Sequence, residues 1–139
     1  MASTTDTLRD RWSDLIGADL IDSRDLCDLL AEAEAEADAL AEDDDASAED
    51  RDDLRDLIGE IRAAVAMVDD YAEDDASDGV ALIRDTYFAE YARDLAEDIG
   101  AIDPQAGWPH SCIDWERAAD ELRMDYTAVE ILGVRYWLR

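Results

Sequence analysis

The sequence contains no lysine, and all twelve of its basic residues are arginine. It has one histidine, no serine in a G-x-S-x-G setting and no glycine loop of the kind that cradles phosphates. These absences argue against the common hydrolase and nucleotide-binding classes. We therefore expect a protein that is not an enzyme and that needs no cofactor.

Histidine and cysteine are too few to complete a metal site. His110 and Cys112 are two residues apart, but no further cluster supplies the remaining ligands. A calcium loop at 74–85 fails because Ala76 stands where an acidic ligand belongs, and a second register at 43–54 ends on leucine and lacks the glycine. The sequence therefore predicts no bound metal ion.

Long apolar runs are also absent, and only two cysteines are present, Cys27 and Cys112. We find no signal peptide and no segment long enough to span a membrane. We therefore expect a cytoplasmic protein with reduced thiols and no membrane partner.

Negative charge is what the chain has in excess. Its 39 acidic residues against 12 arginines give a net charge of −27. Residues 1–78 hold 27 acids and six arginines, whereas residues 79–139 hold 12 acids and six arginines. Such repulsion destabilises a compact state, so we expect this charge to have a use. A partner should be strongly basic, and direct binding to nucleic acid is not expected.

Two acidic helices joined by an acidic loop organise the chain. In residues 23–42 and again in residues 52–72, apolar residues recur at 0, 3, 4, 7, 11 and 14 counted from the first leucine. This spacing predicts an αα-hairpin that buries one seam and exposes a dense carboxylate surface. The seam residues are Leu26, Leu29, Leu30, Ala33, Ala37, Leu40, Leu54, Leu57, Ile58, Ile61, Val65, Val68 and Ala72.

Helix signals flank this hairpin. A short helix is expected near residues 5–16, after a frayed start at residues 1–4. Ser23 is the predicted N-cap of the second helix, and Ser47 with Asp50 resembles a weak capping box for the third.

After Gly79 the composition changes. We predict a strand at 80–83, a helix capped by Asp85, a loop at 103–112 and a second helix from 114 to 124. The end predicts a β-hairpin whose turn is a three-residue loop with Gly133 in the left-handed conformation. The fold class is α+β, mostly α: an acidic helical region at residues 1–78, then an α+β lobe of two helices and a small antiparallel sheet at residues 79–139.

Five aromatic residues concentrate near the C-terminus. We interpret them as the core of the C-terminal lobe. The alternative is that part of the set forms a partner surface or a self-association surface, through which the protein would form a homodimer. These residues are Trp108, Trp115, Tyr126, Tyr136 and Trp137.

The carboxylate density of the hairpin approaches that of a DNA strand. Eight acids occur from Asp22 to Glu42, over about 30 Å of helix, which is one negative charge for about every 4 Å of helix axis. One strand of B-DNA carries a charge about every 3.4 Å. We therefore predict that the hairpin mimics DNA and occupies a basic DNA-binding surface. The candidate contact residues are Asp22, Asp25, Asp28, Glu32, Glu34, Glu36, Asp38, Glu42, Asp43, Asp44, Asp45, Glu49, Asp50, Asp52, Asp53, Asp56 and Glu60.

Two other interpretations of the charge are open. Acid-rich, lysine-free sequences also occur in proteins adapted to high salt, but that adaptation predicts acids spread evenly rather than concentrated in residues 1–78. The hairpin could also be a non-mimic interaction module that binds a basic partner unrelated to DNA.

The C-terminal third carries a family resemblance. YFAEYARDLAEDIGAI at residues 87–102 is followed by a proline-containing loop, by CIDWERAADELRMDY at 112–126 and by a terminal GVRYWLR. This order resembles the last domain of ArdA-type antirestriction proteins, which has an acidic helix, a proline-bearing loop, a helix starting with IDYE and a final aromatic strand closing on arginine. Residues 113–116 occupy the IDYE positions, with Trp115 for tyrosine. Residues 119–122 stand where the family has an A-R-D-L-like run, so its arginine is missing or shifted to Arg117 or Arg123.

The resemblance implies a DNA mimic of a phage or mobile element that acts against a host restriction enzyme, and it implies a dimer. Residues 1–78 do not resemble the first two domains of that family. Together with the charge pattern, the resemblance leads to one hypothesis. The protein occupies the DNA-binding surface of a host defence system, either a restriction enzyme or a CRISPR complex, in the host cytoplasm.

Overall fold

The computed structural model describes residues 4–103 and 105–139, in which helices predominate over a small antiparallel sheet. The predicted fold class, α+β and mostly α, is confirmed. Residues 1–3 of the predicted frayed start and Pro104 of the predicted loop lie outside the described residues. The α-helices and strands, in chain order, are α1 (Thr4–Ile16), β1 (Leu20–Asp22), α2 (Ser23–Glu42), α3 (Ala48–Tyr71), β2 (Ala81–Arg84), α4 (Phe88–Asp98), α5 (Trp115–Arg123), β3 (Thr127–Ile131) and β4 (Val134–Leu138).

The predicted hairpin is formed by α2 and α3, and its seam is buried along most of its length. Leu26, Leu29, Leu57 and Ile61 are fully enclosed. Five predicted seam positions stay half-buried, namely Leu30, Ala37, Leu40, Val65 and Ala72. Apolar area removed from water contributes about 25 cal/mol per Å². Burial of this seam therefore accounts for the stability of two helices whose remaining faces are charged.

The start of α2 differs from its prediction. Asp22, not Ser23, is the N-cap, and its carboxylate accepts a hydrogen bond from the backbone N–H of Arg24 at 2.9 Å. Ser23 is fully buried instead. Its hydroxyl donates to the carbonyl of Ala76 and accepts from the N–H of Val80, both at 2.6 Å. This serine therefore joins the start of α2 to the segment that follows α3.

Replacing Ser23 with alanine should destabilise the protein by about 1–3 kcal/mol, because two buried backbone groups would lose their partner. Urea unfolding measures the change. Ser13→Ala is the matched control, since Ser13 is exposed on α1 and its loss should stay within about 0.5 kcal/mol. Equal midpoints for the two variants would contradict the structural role of the Ser23 hydroxyl.

The four strands form one antiparallel sheet in the order β1-β2-β4-β3. The predicted strand near residues 80–83 and the terminal hairpin are both present, but β1 was not predicted. Because β1 belongs to the acidic region and the other strands belong to residues 79–139, the two regions share a sheet. They also share a core, in which Tyr136 and Leu138 of β4 pack with the seam of the hairpin.

The first helix covers one side of the hairpin. Trp12 is 2% exposed, and its indole N–H donates to the Glu60 carboxylate at 3.0 Å. Arg9 donates to the carbonyl of Asp53 at 3.1 Å. The hairpin therefore has one side closed by α1.

Two predicted details of the C-terminal lobe are wrong. Asp85 does not cap a helix, since α4 begins at Phe88; its carboxylate accepts from the indole N–H of Trp137 at 2.8 Å. The β3–β4 connection is a two-residue turn rather than a three-residue loop, because Ile131 pairs directly with Val134. Gly133 does have the predicted left-handed conformation, with φ 79°. Leu132 adopts φ 51° there, a conformation that costs a side chain about 1–2 kcal/mol relative to the right-handed region.

Among the helices described, none combines the length and the apolar character needed to cross a bilayer.

Candidate partner-binding surface

The structure places the seventeen predicted contact residues at or near the surface, and none of them is buried. Four are half-buried, namely Asp22, Glu36, Asp50 and Glu60, and the other thirteen are exposed. Their side chains lie on both sides of the hairpin and around its loop. The acids therefore form a surface that wraps the hairpin, and the arginines and α1 decide which parts of it are open.

Four of the seventeen acids pair with arginines. Asp22 pairs with Arg24 at 2.6 Å, and hydrogen bonds from this arginine hold the pKa of the Asp22 carboxyl below its usual value. The other pairs are Glu32 with Arg11, Glu34 with Arg62 at 3.0 Å, and Asp52 with Arg55 at 3.4 Å. Exposed pairs of this kind contribute about 0–1 kcal/mol each. In residues 4–103, the remaining thirteen acids form no ion pair.

Contact with α1 separates Glu32 and Glu60 from the rest of the array. Glu60 accepts the buried indole N–H of Trp12, and Glu32 pairs with Arg11 of the same helix. These two acids are therefore occupied by contacts with α1. They were predicted as contact residues, and the sequence carried no signal for the position of α1.

The unpaired acids concentrate at the end of the hairpin, which we call the acidic tip and define as residues 38–56. It contains ten carboxylates and two arginines. Strand β1 leads directly into α2, and the second half of α3 packs near the β3–β4 turn, so the loop between α2 and α3 lies away from the sheet. The tip is therefore the part of the array with the least cover from the rest of the protein.

Arg51 stabilises the tip without neutralising its carboxylates. Its guanidinium donates to two carbonyls at the end of α2, those of Leu40 at 3.1 Å and Asp43 at 2.6 Å. A cation at a helix C-terminus is favourable, because the free carbonyls there carry partial negative charge. On the other side of the loop, the Ser47 hydroxyl accepts from the N–H of Asp50 at 3.0 Å, which confirms the predicted cap of α3. The loop therefore has a defined conformation.

A groove lies between α2 and α3 on the other side from α1. Its volume is about 510 Å³. Its lining consists of small and aliphatic residues with three arginines, namely Ala37, Leu40, Ala41, Leu54, Ile58 and Gly59 with Arg51, Arg55 and Arg62. This groove was not predicted from the sequence. The sequence feature that indicates it is Gly59 within α3, which lies opposite the alanine-rich end of α2.

The predicted aromatic core of the C-terminal lobe holds for part of its set. Tyr136 is fully buried, and its pKa is raised by burial. Tyr126 and Trp137 pack against Phe88, with ring centroids 5.2 Å and 6.0 Å from it. Trp108, however, is 81% exposed and belongs to no core. Dimerisation through this lobe stays a prediction.

The histidine and the two cysteines have local surroundings. His110 lies beside the ring of Trp115 at 6.1 Å, and its Nε2 atom is buried without a hydrogen-bond partner. Cys27 is a half-buried free thiol whose pKa is raised by burial and by nearby carboxylates, and Cys112 is exposed. Across residues 4–103 and 105–139, no three side chains of His, Cys, Asp or Glu form an arrangement that could hold a metal ion.

No protein-family model, no curated protein and no solved structure matches this chain. The resemblance of the C-terminal third to ArdA-type proteins therefore rests on the residues quoted for it.

Proposed function

We propose that this protein is a DNA mimic that inhibits a host DNA-targeting defence system by occupying its DNA-binding surface. The observation that carries the proposal is the open array of unpaired carboxylates on two adjacent antiparallel helices. Such an array presents fixed negative charge to a surface that evolved to hold phosphates. The target is a protein or complex with a basic groove, namely a restriction enzyme or a CRISPR complex.

Charge spacing supports a phosphate-like interaction. Along α2 there is one carboxylate for about every 4 Å of helix axis, and a phosphate backbone has a charge about every 3.4 Å of axis per strand. The second acidic helix packs beside the first through the buried seam, and the axes of packed helices are typically about 8–10 Å apart. Arginine and lysine side chains of the target would release the counterions around both helices, as they do on binding DNA.

The terminal resemblance to ArdA-type proteins supports the same class of target. It comes from residues 87–139, which are outside the acidic hairpin, so it does not repeat the charge argument. It also supports an origin in a phage or mobile element, in which case the protein acts in the host cytoplasm.

Competition with DNA tests the proposal. A labelled DNA duplex is bound to a purified restriction enzyme, and in parallel to a purified CRISPR surveillance complex, and this protein is then added. Fluorescence anisotropy measures release of the duplex, and we expect release from at least one of the two. We also expect that this protein alone does not bind the duplex.

The same experiment separates the alternatives. A non-mimic acidic module would bind basic proteins, such as histones, without displacing DNA from either complex. A protein whose acidity serves only hydration would bind neither. Both results would contradict DNA mimicry.

A further inference from the structure

The groove between α2 and α3 has an apolar floor within a highly charged surface. Leu40, Leu54 and Ile58 form its aliphatic lining, and Ala41 and Gly59 contribute almost no side-chain volume. Apolar concave sites with a few charged groups at the rim are the usual form of a binding pocket. The groove is therefore a candidate for contact with an apolar group of the partner.

The glycine at position 59 is a second observation that favours contact with an external group. A glycine inside a helix is less favourable than alanine, so its presence calls for a reason. A Cβ atom added at Gly59 would meet nothing within 4 Å, so packing inside the protein does not require glycine there. Without a side chain at this position, an external group can approach the backbone of α3 closely.

Carboxylates share a helical face with each of the two small residues, at the same spacing on both helices, and lie outside the groove lining. Residues three and seven positions earlier share a helical face with each of them. For Ala41 these are Asp38 and Glu34. For Gly59 they are Asp56 and Asp52, and all four carboxylates are exposed.

The arginines along the groove are already engaged within the protein. Arg51 donates to the carbonyls at the end of α2, Arg55 pairs with Asp52, and Arg62 pairs with Glu34. Asp38 and Asp56 have no such partner among residues 4–103 and are free to meet cations of the partner. Four carboxylates against three arginines leave a net charge of −1 around the groove, within residues 1–78 whose 27 acids and six arginines give −21, and this charge favours a basic partner.

We propose that the groove receives an apolar side chain from a basic amphipathic helix of the target, whose lysines or arginines pair with the carboxylates around Ala41 and Gly59. The inference rests on the proposed function, because it describes how the same partner docks. Helices with apolar anchors on one face commonly bind in hydrophobic grooves. The groove thus adds an apolar contact, insensitive to salt, to an otherwise electrostatic interface.

Two labelled peptides of about 14 residues, roughly four helical turns, test the groove. One has leucine at every third or fourth position and lysine elsewhere, and the other has alanine in place of each leucine. Anisotropy titrations at about 0.15 M salt and at about 1 M salt, where the Debye length is about 3 Å, separate the apolar contact from the charge contact. We expect the leucine peptide to bind about tenfold tighter, the effect of burying one leucine side chain, and to remain bound at the higher salt.

Substitutions assign this preference to the groove. Gly59→Leu and Ala41→Leu should each bring the affinities of the two peptides to within about twofold, because a leucine side chain at either position occupies part of the groove. Ala35→Leu is the matched control, because Ala35 is exposed on α2 away from the groove lining. It should leave the tenfold preference unchanged.

Arg62→Gln distinguishes a basic occupant from an acidic one. Loss of this arginine frees Glu34, so the leucine peptide should bind more tightly. Weaker binding would mean that the freed Glu34 carboxylate does not attract the peptide, and it would overturn the inference. Equal affinity of the two peptides for the wild-type protein would overturn it as well. Failure of the wild-type protein to displace DNA would instead contradict the proposed function and leave the peptide result standing.

Discussion

Reversing four carboxylates of the acidic tip should abolish displacement of DNA from the target while leaving the fold intact. The variant changes Glu42, Asp44, Asp45 and Glu49 to lysine. These side chains are exposed and form no ion pair among residues 4–103. The competition assay with labelled duplex measures the loss, and urea unfolding measures the stability.

The expected loss of affinity follows from the charges. A pair of unit charges 4 Å apart in water attracts by about 1 kcal/mol, and reversal turns that attraction into repulsion. Allowing half of the total for screening, four reversals weaken binding by about 4 kcal/mol, or about 10³-fold. Stability should change little, since a lysine at the end of α2 gains from the helix dipole about what a lysine at the start of α3 loses.

The matched control reverses four acids of the C-terminal lobe, Glu90, Asp98, Glu116 and Glu121, which are also exposed. It changes the net charge by the same amount and also places two lysines near helix starts and two near helix ends. We expect this control to retain displacement to within about tenfold, because general attraction at long range is partly screened by salt. An equal loss in both variants would mean that net charge alone, rather than the array, governs binding.

Local periodicity was sufficient to predict the hairpin. The spacing of leucines placed both helices, and Leu26, Leu29, Leu54 and Leu57 are buried as predicted. Ser47 also caps α3 as predicted. These features depend on side chains within one or two helical turns, so the sequence contains what determines them.

Long-range pairing explains most of what the sequence could not predict. Strand β1 has three residues, which are too few to show an alternating pattern of apolar and polar side chains. It forms because it pairs with β2. Asp85 is a residue type that often caps helices. Its carboxylate instead accepts a hydrogen bond from the indole N–H of Trp137, 52 residues later. Leu132 accepts a positive φ because the direct pairing of the flanking strands leaves only two residues for the turn.

The candidate site was predictable in composition but not in arrangement. Charge counting located the acids, yet it could not show that Arg62 pairs with Glu34 across 28 residues or that Trp12 engages Glu60 across 48. Those contacts decide which acids are open. The groove depends on the same packing, because it forms only where two helices meet beside small side chains.

Salt should act in opposite directions on binding and on folding. If carboxylates replace phosphates, affinity for the target should fall linearly with salt on a log–log plot, by about 10³-fold between about 50 mM and 200 mM for six or more contacts. Folding stability should rise over the same series, because screening weakens repulsion within residues 1–78, which hold 27 acids against six arginines. Isothermal competition and thermal unfolding, performed in the same buffers, measure the two quantities.

The tip variant provides the internal control for this salt series. Its displacement activity should be near zero at every salt concentration, and its stability should depend less on salt than that of the wild-type protein, because lysines among the acids relieve repulsion. A wild-type protein that stays unfolded until salt is molar would favour high-salt adaptation as the reason for the charge. Affinity that does not change with salt would place the contact on apolar surface. Exposed Trp108 of the C-terminal lobe and the groove beside Gly59 would then be the positions to substitute first.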